Sequence, residues 1–220
     1  MSSPHRLSTP RAAGLAGVLF AILFAASIIL IHGALPEGAA PGSQWLEAGN
    51  LRLRIASLLM PFAGISFLWF IGVVRDGLGN YEDRFFATVF FGSGLLFLAM
   101  VFSASAIGAG LAASGHLIDA PGGQNDVAAF GQMEVLSLTK TYAVRMAAVF
   151  MISLATIWLK TKLMPRWLVY TTYASAVGLL FSSDLSMWIA LVFPFWVLLV
   201  SVLALVRSGV IDLHHDDGVT

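Results

Sequence analysis

The feature that most constrains this chain is the stretch from Ala12 to Ile31, 20 consecutive residues without a charge or a proline. A helix rises ~1.5 Å per residue, so such a stretch covers the ~30 Å hydrocarbon layer of a bilayer. Lipid offers no partner to bare backbone N–H and C=O groups, and a helix satisfies them internally. The pattern recurs, and six stretches qualify or nearly do: roughly 12–32, 53–74, 85–113, 135–159, 167–183 and 187–206. The expected fold is all-α, a polytopic transmembrane helix bundle forming a single domain over 1–210, with a short polar cytoplasmic tail over 211–220. The fifth stretch is short, and Ser182, Ser183, Asp184 and Ser186 crowd the turn behind it. Spans five and six are therefore expected to form a tight hairpin.

Composition points the same way, with 58% hydrophobic and 11% charged residues, where soluble domains carry about 25% charged. Twelve Lys+Arg balance twelve Asp+Glu, which excludes the basic footprint of a nucleic-acid binder. The absence of cysteine excludes disulfides, thiolate metal sites, iron–sulfur clusters and Cys nucleophiles. Arg6 and Arg11 before the first apolar run resemble the start of a secretory leader. The run exceeds the ~7–15 residues of a leader core and no small-x-small pair closes it, so a retained first span is expected.

Lys and Arg of short loops accumulate on the cytoplasmic side. Arg6 and Arg11 precede span one, Arg75 and Arg84 separate spans two and three, Lys160, Lys162 and Arg166 separate spans four and five, and Arg207 follows span six. The opposite loops, 33–50 and 114–134, hold no Lys or Arg but contain Glu37, Glu47, Asp119, Asp126 and Glu134. A multi-pass cell-membrane protein with both termini cytoplasmic follows as the expectation. Gly and Pro, as in Pro36-Glu37-Gly38 and Pro121-Gly122-Gly123, predict outer loops without regular structure. Trp69, Trp158, Trp167, Tyr81 and Tyr170 gather near one set of span ends and Trp45 and Trp188 near the other, which reads as an aromatic belt.

Within this apolar frame the informative charges are Lys140 and Arg145, inside the fourth stretch. Counting ~1.5 Å per residue from Lys160 puts Arg145 about 22 Å away, in the outer leaflet. Ionisable residues at such depth face the bundle interior or a water-filled cavity. Arg52 and Arg54 open span two at a similar level, so four cations converge on the outer third of the bundle. On one reading they pair with Glu47, Glu134, Asp184 or freed carbonyls and fix helix register. On the other, Arg52, Arg54, Lys140 and Arg145 line an outward-facing pocket for an anion or lipid headgroup, a role that suits the planar, permanently charged guanidinium. Pro61 and Pro194 are expected to kink their spans, freeing the carbonyls of Ser57 and Ala190.

Small residues four apart predict close helix seams at Ala13/Gly17, Ala21/Ala25, Ala104/Gly108, Ala106/Gly110 and Ala174/Gly178. Arg54–Met60 resembles Arg145–Met151, and Gly94-Leu95-Leu96-Phe97 recurs as Gly178-Leu179-Leu180-Phe181, so hairpins 2–3 and 4–5 read as copies. His32 and His116 lie at outer helix ends and the remaining histidines in the termini, which does not suit a bis-His haem. His214-His215-Asp216-Asp217 and the set His32, His116 and Asp119 offer metal-ligand types without a fixed second shell. No H-E-x-x-H, Walker loop or G-x-S-x-G occurs. No catalytic residue, cofactor or metal is assigned. The expected function is a non-enzymatic membrane component or accessory subunit, with membrane lipids and protein subunits as partners. The alternative is a small transporter or a lipid- or anion-binding membrane protein.

Overall fold

The computed structural model describes residues 9–35, 50–78, 84–114, 124–182 and 186–207, and among these all regular structure is helical. Helix α1 is Thr9–Ala34, α2 Asn50–Leu78 and α3 Arg84–Ser114. A continuous helical rod follows, composed of α4 (Gln124–Leu136), a π-helical segment (Ser137–Ala143) and α5 (Val144–Thr161). Helix α6 is Arg166–Ser182, and a 3-10 turn (Met187–Leu191) leads into α7 (Val192–Arg207). Among the described residues, five stretches are long and apolar enough to cross a membrane: Gly14–Ala34, Leu51–Asp76, Phe85–Ala113, Ala129–Thr161 and Trp188–Val206. Helix α6, with 17 residues, reaches ~26 Å, slightly short of a ~30 Å hydrocarbon core.

One expectation is corrected: loop 114–134 was to lack regular structure, yet 124–134 is helical and extends the fourth span at its N-terminal end. The reason is burial against α3. Gly131, Gln132 and Val135 turn inward while Val127, Phe130 and Met133 turn outward, and Gly131 lets the Leu111 side chain approach so closely that a Cβ would lie 2.6 Å from its Cδ2. Asn125, Asp126, Gln132 and Glu134, scattered through the segment, conceal this spacing in the sequence.

Helix α1 lies along α2 and α7, α3 lies between α2 and α5, and α6 lies along α5. Their shared centre is aromatic. The Phe193 ring sits 5.8 Å from Phe20, 5.6 Å from Phe67, 4.9 Å from Phe97 and 6.1 Å from Phe150, all in edge-on arrangements. Such geometry sets the positive ring edge against a negative face. Lipid tails are as apolar as these rings, so close packing, more than water expulsion, holds such helices together.

Two of the expected small-residue seams operate within the chain. A Cβ on Gly17 would run into Ser201 Oγ of α7, and one on Gly108 would lie 3.3 Å from both Leu53 Cδ1 and Ser57 Oγ of α2. Ala106, Gly110, Ala174 and Gly178 instead face outward, with nothing within 4 Å of a Cβ at Gly110 or Gly178.

Four buried serines are satisfied within their own helix, as suits a lipid surrounding. Ser27, Ser66, Ser93 and Ser153 each donate to the carbonyl four residues earlier. Trp196 Nε1 donates to Thr172 Oγ1 at 2.8 Å, tying α7 to α6, and Thr156 Oγ1 meets the Tyr173 hydroxyl at 2.7 Å, tying α5 to α6. Trp158, expected in the aromatic belt, is instead buried, 6.1 Å from the Trp196 ring. Trp69, Trp167, Tyr170 and Trp188 are exposed. Tyr81 and Trp45 lie outside the described residues.

Candidate functional site

Residues of interest gather where α1 and α3 end and α2 begins. Arg52, in the first turn of α2, donates from Nη1 to the Gly33 carbonyl at 2.9 Å. That carbonyl belongs to the last turn of α1, whose terminal C=O groups lack intrahelical donors and carry partial negative charge, so the guanidinium acts as its cap. Beside it the His32 ring lies 4.5 Å from the Trp188 ring, and His32 Nδ1 is buried with no hydrogen-bond partner among the described residues.

Half a turn beyond Arg52, Arg54 is exposed and lines a cleft of about 390 Å³ between α2 and α3 with Ser57, Leu58, Ala109, Ala112 and Ala113. Of the four cations singled out in the sequence, Arg54 alone lines this cleft. The cleft is floored by a defined polar contact: Ser105 Oγ of α3 donates to the Ser57 carbonyl at 3.1 Å. Pro61 sits inside α2 and supplies no N–H to that carbonyl, so the partner comes from the neighbouring helix. The sequence indicates the freed carbonyl but carries no signal for Ser105 as its donor.

Lys140 and Arg145 are half-buried and both are engaged by neighbouring groups. Lys140 lies in the π-helical segment and Arg145 at the start of α5. Within the same segment Thr139 is 1% exposed and its Oγ1 has no hydrogen-bond partner among the described residues. Periodicity gave no sign of the π-helical turn, which shifts the register of Lys140 relative to Arg145. Glu134 is half-buried near the end of α4. Glu47 and Asp184, the other pairing candidates, lie outside the described residues, as do His116, Asp119 and the tail from His214 to Asp217. Pro194 occupies the first turn of α7 directly after the 3-10 turn, a place where a missing N–H leaves no interior gap.

At the opposite end two cations rest on aromatic faces. Arg75 lies 5.2 Å from the Phe91 ring centroid, and Lys160 Nζ lies 4.6 Å from that of Phe86. Between α5 and α6, Lys162 adopts a left-handed conformation (φ 57°) and closes α5 by donating its N–H to the Trp158 carbonyl at 2.9 Å. Among the described residues no group of three or more His, Cys, Asp or Glu is placed to hold a metal. No protein-family model, curated protein or solved structure matches the chain.

Proposed function

We propose that this chain is a non-catalytic integral component of the cell membrane, an accessory subunit or structural protein that crosses the bilayer six times with both termini in the cytoplasm. The observation that carries this reading is the aromatic centre. Phe20, Phe67, Phe97, Phe150 and Phe193 come from five different helices, are buried and fill the space where those helices meet, leaving no opening among their rings for a solute. Coupled carriers place carboxylates near the midplane, whereas the six apolar stretches hold no Asp or Glu.

The orientation rests on the loop cations. The subunit role rests on the outward small-residue steps Ala106/Gly110 and Ala174/Gly178, which let another helix approach closely. The test has two arms. The purified protein in vesicles should leave ion and small-anion leakage at the level of empty vesicles; a saturable flux would overturn the reading. A photo-crosslinker at Val177, on the exposed face of α6, should give a discrete protein adduct in native membranes, and lipid adducts alone would remove the subunit role.

A further inference from the structure

The cleft between α2 and α3 has a shape and charge that the packing of the bundle does not use. Its walls are Arg54 and Leu58, one turn apart on α2, facing Ala109, Ala112 and Ala113 on α3. Just below, Gly108 brings α3 against Leu53 and Ser57, and Ser105 bonds to the Ser57 carbonyl, so the two helices are joined there. Above that junction the alanines are too small to fill the gap. Among the described lining residues there is one cation and no carboxylate. Among the described residues Arg54 makes no hydrogen bond or ion pair, unlike Arg52 with its Gly33 carbonyl.

Depth identifies the occupant. The apolar spans Leu51–Asp76 and Phe85–Ala113 have 26 and 29 residues, which at ~1.5 Å each reach ~39 and ~44 Å, longer than the ~30 Å hydrocarbon core. Their ends therefore stand in the headgroup zone. Arg54 lies ~4.5 Å inside the start of its span, and the groove continues toward Leu58, ~10 Å in. A cation sits at phosphate level and an apolar slot runs inward from it.

We infer that this cleft seats one anionic phospholipid, its phosphate on the Arg54 guanidinium beside Ala112 and Ala113 and the start of an acyl chain laid against Leu58 and Ala109. The guanidinium fork matches phosphate oxygens in a charge-assisted pair. The Arg54 guanidinium, the charged group among the described lining residues, favours a headgroup of net negative charge over a zwitterion. This goes beyond the structural role proposed above and does not depend on it.

Native mass spectrometry of the full chain in mild detergent, titrated with phosphatidylglycerol or phosphatidylcholine, tests the inference. The first phosphatidylglycerol should bind at least about fivefold more tightly than phosphatidylcholine, a factor typical of one charge-assisted contact. Arg54→Gln should erase that preference, so that the two lipids bind alike. Ala109→Phe, or Ala113→Phe if the first variant unfolds, should weaken uptake of both lipids by filling the slot. A preference that survives Arg54→Gln, or uptake indifferent to both groove-filling variants, would overturn the site. Loss of the preference on adding inorganic phosphate would also overturn it, since the site would then take a free anion.

Discussion

In α3 the tetrapeptide Gly94-Leu95-Leu96-Phe97 turns its glycine and phenylalanine into the bundle, whereas in α6 the identical Gly178-Leu179-Leu180-Phe181 turns Leu179 inward. Phe97 is 1% exposed and packs on Phe20, Phe24, Phe67 and Phe193, while Phe181 is 82% exposed. Leu179 is 1% exposed, and its counterpart Leu95 is 40% exposed. Successive helical residues are rotated by ~100°, so four residues cover barely one turn and cannot fix which way they face. The flanks decide. In α6, Leu168, Thr172 and Ala176 lead to Leu179 at helical spacing, and in α3, Phe90 and Gly94 lead to Phe97 and Val101. The longer match behaves differently: in Arg54–Met60 and Arg145–Met151, Ala56 and Ala147 are both buried, as are Met60 and Met151, although Ala148 and Phe150 are also buried where Ser57 and Leu59 are half-buried. The heptapeptides thus share two buried positions and the tetrapeptides share none.

Substitution of the paired positions gives the largest contrast. Phe97→Ala should destabilise the bundle by about 3–5 kcal/mol, the range for truncating a core aromatic. Phe181→Ala should change stability by less than about 0.5 kcal/mol, as for positions with no packing partner. Thermal unfolding of both variants in one detergent measures the difference, and equal losses would dissolve the distinction between the two helices. Next in size, Gly94→Leu should lower stability by about 1–3 kcal/mol through overpacking, because a Cβ there already lies 2.7 Å from Ile71 Cδ1 and 3.2 Å from Phe150 Cδ2. Gly178→Leu meets open space and should stabilise α6 by up to about 1 kcal/mol through helix propensity.

A smaller effect concerns how α2 and α3 are tied. Ser105→Ala should cost about 1 kcal/mol by leaving the Ser57 carbonyl unpaired. In a Pro61→Ala background the restored N–H of residue 61 can serve that carbonyl, so the same Ser105→Ala change should cost less. A double-mutant cycle reads this coupling, and strict additivity would show that Ser105 does not answer Pro61. The smallest expected effect is at Arg52, where Arg52→Gln should reduce stability by about 0.5 kcal/mol through loss of the charged cap on α1. High salt should shrink that difference, as expected of an exposed charge.

Much of the architecture was legible because length and apolarity alone decide whether a helix suits a bilayer. Uncharged runs such as 85–113 needed no tertiary information. Burial obscured the rest. Segment 124–134 carries enough polar residues to resemble a loop, yet it folds as helix because Gly131, Gln132 and Val135 find α3. The π-helical turn at Ser137–Ala143 leaves no mark on periodicity. Where α2 begins, sequence placed Arg52 and Arg54 at one depth but could not separate their fates. One reaches back to the end of α1, and the other lines a cleft whose alanine wall lies 55 to 59 positions further along the chain. Small residues announced seams, yet only contact could tell Gly17 and Gly108, which join helices of this chain, from Gly110 and Gly178, which face outward.

The chain has no cysteine, so nitroxide probes introduced through Phe97→Cys and Phe181→Cys would each report from a single position in lipid vesicles. The probe at 181 should collide freely with dissolved oxygen and rarely with a water-soluble nickel chelate, the pattern of a lipid-facing site, while the probe at 97 should be immobilised and shielded from both. A probe at 181 open to the chelate, or one at 97 as accessible to oxygen as its counterpart, would contradict a lipid-embedded bundle closed around its phenylalanines.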